Sequence, residues 1–358
     1  MKKICLIGQF PPPIHGLSKA LDVIVHSDYL KDKFSVEYID IKNNKKFLHH
    51  VSEIKKSQAD LYYFTISHSI FGNIRDMIIL TKLLSKNKKV VIHYHGGYYK
   101  NLYKKMNPIQ KFVNKKLISK IDCMIALSEG LKDLFVDVID IEKVKVCENF
   151  IEESSLIQND EFNKKLDKIN DKERIGVLYL SNFIKSKGYL DVLEAAKLLK
   201  NEKVIFHFAG HFFNKQDENE FKQYIQKLNL GNIVKYHGVV SGNNKKKLLR
   251  EADIFVLPTY YPYEGQPISI IEAMGNGLAI ITTNHAGIPD IVSEENGAIV
   301  SPKAPNEISK AIQYLLKHRG VLKRMAETNR SYTLDKFKEI DYIKRLEKIF
   351  NEVLRYEN

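Results

Sequence analysis

The 358-residue sequence has no apolar run long enough to cross a bilayer and only three cysteines. A membrane-spanning helix needs about 20 predominantly apolar residues, and the short apolar segment after Met1 soon ends at three prolines, so we expect neither an anchor nor a signal peptide. Cys5, Cys123 and Cys147 lie far apart in apolar runs, a pattern typical of buried thiols in a reducing compartment. We therefore expect a cytoplasmic protein without a cysteine-bound metal.

Acidic residues are absent between Asp76 and Asp122, a stretch that contains eleven lysines. Residues 1–150 hold 25 Lys and Arg against 15 Asp and Glu, so most of the net charge of +13 belongs to that half. Such a positive field attracts anionic partners, namely acidic lipid headgroups, a diphosphate-linked acceptor or nucleic acid. A solvated lysine face accounts for the same composition, and the composition leaves both interpretations open.

Low-complexity tracts and hairpin turns are also scarce, and 44% of the residues are hydrophobic while 28% are charged. This composition is typical of a globular chain, and the length favours two domains. Short β-rich runs alternate with helical patterns, which predicts α/β domains with parallel sheets. The predicted strands are 4–8, 36–41, 61–66, 90–94, 123–127 and 144–147 in the first half, then 176–180, 204–209, 233–236, 254–257 and 279–282.

Apolar density drops between residues 152 and 173, where we place the domain boundary. The prediction is an N-terminal Rossmann-like domain over 1–160 and a C-terminal one over 170–335. Residues 336–358 place apolar side chains at helical spacing and predict a helix, with packing on the N-terminal domain favoured. Open α/β sheets bind ligands at the carboxyl ends of their strands, so we expect the site in a cleft between the domains.

The most specific motif is residues 258–277, which read as a loop and a helix directly after a predicted strand. Pro267 suits the first turn of a helix and Gly277 suits its C-terminal end. The helix is therefore predicted to begin beside Gly265, where the backbone can approach a ligand closely. Free N–H groups at such a helix start form a phosphate site.

Two carboxylates, Glu264 and Glu272, flank this phosphate site and suit the hydroxyls of a sugar and a ribose. Their spacing resembles the E-x7-E motif of the retaining family 4 glycosyltransferases, which have the GT-B fold: two Rossmann-like, doubly wound parallel-sheet domains facing across a cleft. The resemblance covers nearly the whole chain. Its further segments are 13–16 (P-I-H-G), 93–96 (H-Y-H-G), Asn149, 181–188 (S-N-F-I-K-S-K-G), 208–210 (F-A-G), 237–239 (H-G-V) and 284–292 (N-H-A-G-I-P-D-I-V).

The resemblance implies a role for each matching residue. Glu272 would bind the ribose hydroxyls and Glu264 the donor sugar near its C3 hydroxyl, while His95 would also contact the sugar. Lys187 would neutralise the diphosphate, a role that chemistry supports because a departing nucleoside diphosphate develops negative charge. The implied catalytic residues are thus Glu264, His95 and Lys187. The donor-binding residues are Gly16, Asn182, Gly210, Val239, Gly265, Gln266, Pro267, Ile268 and Glu272.

Two positions depart from the family pattern. Asn182 stands where the family usually has arginine, so either Lys185 substitutes or the site depends more on Lys187. Phe150 stands where glycine commonly follows the asparagine. Each implied site residue also has an ordinary structural interpretation, as a solvated carboxylate, a lysine at a helix start or a histidine at a strand end.

Residues 98–120 interleave aromatic, apolar and lysine side chains just after His95. This pattern predicts a peripheral contact with an anionic membrane, at the inner face of the plasma membrane, although an ordinary amphipathic surface helix has the same pattern. Asp140 and Glu142 have the spacing of a metal-binding pair but lie in a polar turn, so no catalytic metal is predicted.

The sequence therefore predicts a retaining hexosyltransferase that needs no cofactor. It would move a hexose or N-acetylhexosamine from a UDP- or GDP-sugar to a lipid-linked or growing polysaccharide acceptor in surface glycan biosynthesis (capsule, O-antigen or exopolysaccharide). One alternative is a nucleotide-sugar epimerase on the same scaffold, against which the E-x7-E pattern argues. Another is a basic nucleic-acid-binding protein, for which no recognition motif is present, so no nucleic-acid partner is expected.

Overall fold

A computed structural model of the chain describes residues 1–12 and 16–355. The chain divides into two compact units. The first unit consists of Met1–Asn149, Tyr263–Gln266 and Glu339–Asn358, and the second consists of Phe150–Pro262 and Pro267–Lys338. Within the described ranges, no helix has both the length and the apolar character needed to cross a bilayer.

The first unit is built on a parallel sheet that contains six strands in the described part of the chain. Their order across the sheet is β2-β1-β3-β4-β5-β6, so the direction of winding reverses between β1 and β3. Every residue of β3 and β5 is buried, as expected for strands covered on both faces. The strands are β1 (Lys2–Gly8), β2 (Phe34–Asp40), β3 (Leu61–Thr65), β4 (Lys89–His93), β5 (Cys123–Ala126) and β6 (Val144–Val146).

Helices connect these strands in the βα pattern that parallel neighbours require. Several begin with a side-chain cap: Ser69 accepts from the Gly72 N–H at the start of α4, and Asn107 accepts from the Gln110 N–H at the start of α6. The helices are α1 (Gly16–His26), α2 (Asp28–Lys31), α3 (Phe47–Lys56), α4 (Ile70–Leu84), α5 (Tyr99–Lys105) and α6 (Pro108–Ile118).

The second unit has a parallel sheet in the order β12-β11-β10-β7-β8-β9, with the reversal between β7 and β10. The central strands β7, β10 and β11 are buried throughout, whereas β9 and β12 at the edges are partly exposed. The strands are β7 (Ile175–Leu180), β8 (Val204–Ala209), β9 (Val234–Tyr236), β10 (Ile254–Leu257), β11 (Ala279–Thr283) and β12 (Gly297–Val300).

The second unit's helices enclose one large hydrophobic core formed with that sheet. They are α7 (Asn159–Asp167), α8 (Tyr189–Leu198), α9 (Lys215–Lys227), α10 (Gly242–Glu251), α11 (Ile268–Gly275), α12 (Pro305–Lys317) and α13 (Arg319–Lys336). The α/β prediction is confirmed, and each predicted strand is present within two residues of its predicted bounds. Strand β12 was missed because only three apolar residues follow Gly297 before the chain turns polar.

The C-terminal helix α14 (Glu339–Arg355) belongs to the first unit. Its ring of Phe350 lies 6.2 Å from Phe34 and 5.7 Å from Tyr63, and Tyr29 donates a 2.8 Å hydrogen bond to Glu347. Of the apolar residues that the sequence places at helical spacing in this segment, Ile340 is exposed and Leu354 is only half-buried. The buried stripe of the helix comprises Tyr342, Ile343, Leu346, Ile349, Phe350 and Val353.

Candidate functional site

The reversal point of the second sheet brings two loops together, one after β7 and one after β10. The Tyr260 N–H donates a 2.8 Å hydrogen bond to the Ser186 carbonyl. Gly188 has a φ of +77°, and a Cβ there would lie 2.6 Å from the Pro258 carbonyl oxygen. Glycine alone fits this contact without strain. The hydrogen bond and the close contact hold the two loops together at the carboxyl ends of their strands. This is where doubly wound sheets bind ligands.

Lys187 lies in the loop after β7, with its ammonium 5.2 Å from the centre of the Tyr261 ring. The ring face attracts that cation and limits where the long side chain can go. Lys185 on the same turn lies 3.4 Å from the Asp217 carboxylate, so its charge is shared with that acid. Asn182, at one of the two positions that depart from the resembled motif, is exposed. The structure thus places Lys185 beside Asp217 and Lys187 over the Tyr261 ring.

Glu272 lies on α11 and is buried. Burial excludes the ordinary interpretation of this residue as a solvated carboxylate. Its Oε1 is 2.6 Å from the Lys245 ammonium of α10 and 3.5 Å from the Ser155 hydroxyl. Lys245 compensates the buried charge, because an unpaired carboxylate at this depth would be strongly disfavoured. Sequence reasoning missed Lys245, since it sits in a run of three lysines with no sign of which one faces inward.

Helix α11 begins one residue later than predicted. Pro267 is the N-cap, with an extended ψ of 116°, and Ile268 is the first helical residue. Gly277 follows the C-terminal cap with a φ of +66°, as predicted for the end of this helix. The Ile270 N–H donates to the Pro267 carbonyl at 3.1 Å, so the N–H groups of Ile268 and Ser269 are the ones at this helix start that suit an anion.

Backbone features place the ends of β8 and β9 beside the loop after β7. Gly210 has a φ of +149°, and a Cβ there would lie 1.9 Å from the Ser181 carbonyl oxygen. The Gly210 N–H donates a 2.8 Å hydrogen bond to the Gly238 carbonyl. Val239 follows and is 70% exposed. These positions surround the same end of the sheet as Lys187.

Glu264, Gly265 and Gln266 belong to the first unit rather than to the unit that contains α11. A Cβ on Gly265 would lie 3.1 Å from the Cα of Gly96, so the glycine permits close packing on the end of the loop after β4. The Asn149 N–H donates to the Gln266 side-chain oxygen at 2.8 Å, and the Asn149 amide donates to the Gln266 carbonyl at 2.7 Å. Glu264 is buried.

The His95 ring packs against the His93 ring at an angle of 31°, with ring centres 3.9 Å apart. His93 is fully buried, and its Nδ1 lies 2.6 Å from the Tyr63 hydroxyl. Burial lowers the pKa of His93 well below its usual value, and the neighbouring His95 lowers it further, so the ring stays neutral at working pH. Sequence reasoning missed this supporting histidine, although it is the first residue of the H-Y-H-G segment.

Gly16 is the first residue of α1 and is exposed. The other residues of the predicted glycine loop, Pro13, Ile14 and His15, lie outside the described residues. Across residues 1–12 and 16–355, no group of three or more His, Cys, Asp or Glu side chains is arranged to hold a metal ion.

Comparison with protein families matches residues 159–332 to the model of glycosyl transferases group 1. This segment contains Lys187, Gly210 and Glu272, together with the loops at the reversal point of the second sheet.

Three curated proteins are similar to the chain in sequence. An uncharacterised 41.2 kDa protein in the cps region of Klebsiella pneumoniae is 24% identical over 85% of this chain and 82% of its own length. The amylovoran biosynthesis glycosyltransferase AmsK of Erwinia amylovora is 29% identical over 44% of this chain and 39% of its own. The N,N'-diacetylbacillosaminyl-diphospho-undecaprenol alpha-1,3-N-acetylgalactosaminyltransferase of Campylobacter jejuni is 28% identical over 50% and 45%.

Among solved structures, the chain resembles Anabaena Alr3699/HepE in complex with UDP, with a TM-score of 0.79 and 17% identity over 98% of this chain and 100% of that one. The same protein in complex with UDP-glucose gives a TM-score of 0.76. At 17% identity the structural similarity shows the fold alone, and it confirms the GT-B fold expected from the sequence.

Proposed function

The chain belongs to the glycosyl transferases group 1 and is a glycosyltransferase; on that premise we propose that it is a retaining enzyme using a UDP- or GDP-sugar. It moves a hexose or N-acetylhexosamine to a lipid-linked or growing polysaccharide acceptor in surface glycan biosynthesis. Relatives named for amylovoran biosynthesis and for transfer to a diphospho-undecaprenol-linked sugar support the acceptor class. Similarity to a protein solved with UDP-glucose supports the donor class.

The observation that carries the proposal is the placement of Lys187 and Glu272 at the reversal point of the second sheet. Lys187 supplies positive charge to the diphosphate, together with the first N–H groups of α11. Glu272, whose Oε1 is shared with Lys245, accepts hydrogen bonds from the ribose. The remaining donor-binding residues are proposed to be Gly16, Asn182, Gly210, Val239, Gly265, Gln266, Pro267 and Ile268.

The proposed reaction needs little help from a protein base. The acceptor hydroxyl oxygen bonds to the anomeric carbon on the face from which the nucleoside diphosphate leaves, and the acceptor proton passes to the departing phosphate oxygen. Glu264 and His95 contact the donor sugar, and Lys187 stabilises the charge that develops on the leaving group. The His93 ring packs against the His95 ring and limits its movement. The proposed reaction uses no metal or cofactor. We also propose a cytoplasmic location, which the three buried free thiols support.

Nucleoside diphosphate release from a panel of UDP- and GDP-sugars tests the proposal. We expect Lys187→Ala and Glu264→Gln each to lower the release rate by roughly a hundredfold or more, since each removes a charged contact with the reacting group. Lys185→Ala and the exposed Glu294→Gln are the matched controls and should remain within about twofold of the wild type, as expected for residues that touch neither phosphate nor sugar.

Near-normal release by both site variants would refute the residue assignment. Product with an inverted anomeric configuration in NMR would refute retention, and loss of turnover in EDTA would refute metal independence. Conversion of the sugar while it stays attached to the nucleotide would instead indicate the epimerase.

A further inference from the structure

Helix α4 exposes large apolar side chains on the side that does not face its own sheet. Phe71, Ile74 and Ile78 follow one another at spacings of three and four residues and therefore share one side of the helix. All three are exposed, Phe71 to 85%. The opposite side buries Leu80 and Leu83, so α4 is apolar on both sides. A helix with this pattern normally has a second partner to cover it.

Helix α6 continues the exposed surface. Ile109 is 78% exposed, Phe112 is 66% exposed, and Val113 is also exposed. The two helices enclose an open groove of about 580 Å³ between them, lined by Ile74, Met77, Ile78, Thr81, Asn107, Pro108, Ile109, Gln110 and Val113. We call Phe71, Ile74, Ile78, Ile109, Phe112 and Val113 the α4–α6 apolar face.

Polar contacts hold the two helices in this arrangement. The Gln110 amide donates to the Ile70 carbonyl at 3.2 Å and to the Asn73 side chain at 2.9 Å. The Asn114 amide of α6 donates to the Met77 sulfur of α4 at 3.7 Å, and its oxygen accepts a 2.7 Å hydrogen bond from the buried Tyr99 hydroxyl of α5. The groove is therefore a fixed feature of the first unit rather than a gap left by loose packing.

Every charged residue between Asp76 and Asp122 in the sequence is basic. Asp76, the acidic residue within α4, is fully buried and lies 2.7 Å from the Arg75 guanidinium, and the next acidic residue in the sequence is Asp122. The Lys116 ammonium lies 5.8 Å from the centre of the Phe112 ring. The lysines on the two helices or within two residues of their ends are Lys82, Lys86, Lys111, Lys115, Lys116 and Lys120.

We propose that the α4–α6 apolar face docks on a bilayer that contains anionic lipids. A bilayer offers both features this surface needs: an apolar layer for the protruding rings and a negative headgroup layer for the lysines. Contiguous exposed apolar surface marks an interaction site, and lysines beside it favour an anionic partner. The proposal concerns membrane attachment and holds whether or not the proposed donor and acceptor are correct.

This assignment relocates the contact that the sequence predicts over residues 98–120. Tyr98, Tyr99, Leu102 and Met106 are buried, so the α5 part of that stretch offers no apolar face to a membrane. The apolar contribution comes instead from α6 and from α4, which lies outside the predicted stretch.

Flotation of the 358-residue protein with lipid vesicles tests the proposal. We expect binding to vesicles containing phosphatidylglycerol, weak binding to pure phosphatidylcholine, and a decrease as NaCl is raised. The double variant Ile109→Ser with Phe112→Ser should bind at least tenfold more weakly because it removes two inserted side chains. Lys115→Gln with Lys116→Gln should bind roughly 30-fold more weakly, at about 1 kcal/mol for each lysine near an anionic surface.

Matched controls separate this surface from general stickiness. Phe213 is 69% exposed in the second unit, so Phe213→Ser removes an equally exposed ring and should leave binding unchanged. Lys200→Gln with Lys317→Gln is the corresponding charge control. Circular dichroism and nucleoside diphosphate release should be unchanged in all variants, which separates loss of docking from misfolding.

Wild-type binding by the Ile109/Phe112 variant would overturn the proposal, as would equal affinity for neutral and anionic vesicles. A dimer in light scattering that this variant abolishes, with no vesicle binding by the wild type, would overturn it in favour of self-association.

Discussion

Gly277 follows the C-terminal cap of helix α11 in a backbone conformation that residues other than glycine rarely adopt. Its φ is +66°, and a Cβ there would lie 2.3 Å from Cε2 of Phe162 on α7. The position therefore combines a left-handed backbone with a close contact to a buried ring. Both restrictions favour glycine, because an added methyl group strains the backbone and displaces the ring.

Gly277→Ala is expected to lower the free energy of unfolding by about 3 kcal/mol, the sum of left-handed strain and overpacking. The midpoint of urea unfolding measures the change. Gly320→Ala is the matched control, since Gly320 lies in α13 with nothing within 4 Å of the added Cβ and should gain up to about 1 kcal/mol. Equal midpoints for the two variants would contradict this account of Gly277.

Sequence patterns located Glu272 but not its charge partner. The E-x7-E spacing singles out the residue, whereas Lys245 lies 27 positions away on another helix. Position in a motif reports the residue type that a site needs. Burial and pairing depend on which helices pack together, and that information is not contained in a local pattern.

At the scale of elements, Arg330 of α13 holds the end of α11. Its guanidinium donates to the Gly275 carbonyl at 2.6 Å and to the Ile157 carbonyl at 2.9 Å, and it reaches the Asn159 side chain at 2.9 Å. Gly275 is the last residue of α11, where helix carbonyls have no partner within the helix. The buried arginine thus satisfies carbonyls from two different segments.

Arg330→Met should destabilise the protein by about 2–4 kcal/mol, because it leaves two buried carbonyls without donors. Thermal unfolding followed by circular dichroism measures the loss. Arg324→Met, at an exposed position on the same helix, should stay within about 0.5 kcal/mol of the wild type. A loss of similar size in both variants would show that the effect belongs to α13 as a whole and not to the capping contacts.

The stretch 98–120 shows the limit of element prediction. A mixture of aromatic, apolar and lysine residues indicates an amphipathic helix, but Pro108 starts a new helix within the stretch and divides it into α5 and α6. The tyrosines at its beginning pack inward, and Tyr99 is fixed by Asn114. Hydrophobic periodicity shows that a face is apolar, but it does not show whether another element covers that face.

At the scale of the whole molecule, the three cysteines are unevenly distributed between the two units. Cys5 on β1, Cys123 on β5 and Cys147 after β6 all belong to the first unit and are buried. Burial raises the pKa of each thiol to about 12. Because the folded-state pKa is raised, the stability that these thiols contribute is complete below about pH 9, their ordinary value, and is lost as the pH rises toward 12.

A thiol reagent at pH 8 is therefore expected to label almost none of the three cysteines in the native protein and all three in guanidinium chloride, since the buried thiols are protonated and shielded. Phe350→Ala, which opens a cavity beneath α14 next to Tyr63, should raise the native labelling rate at least tenfold. Phe213→Ala, in the second unit, should leave it unchanged. Rapid labelling of the wild type would contradict the buried placement of the cysteines.

The sequence by itself determined the alternation of strands and helices, the position of nearly every strand and the segments that carry glycosyltransferase motifs. Continuous apolar runs such as those of β7 and β10 are local signals, so they could be identified without a structure. Tertiary structure alone decided that Glu264 and Gly265 belong to the first unit, that Lys245 pairs with Glu272 and that α4 and α6 leave an apolar face uncovered. The physical reason is that burial and pairing arise from residues distant in the chain, whereas sequence periodicity describes only what each segment presents to an unspecified partner.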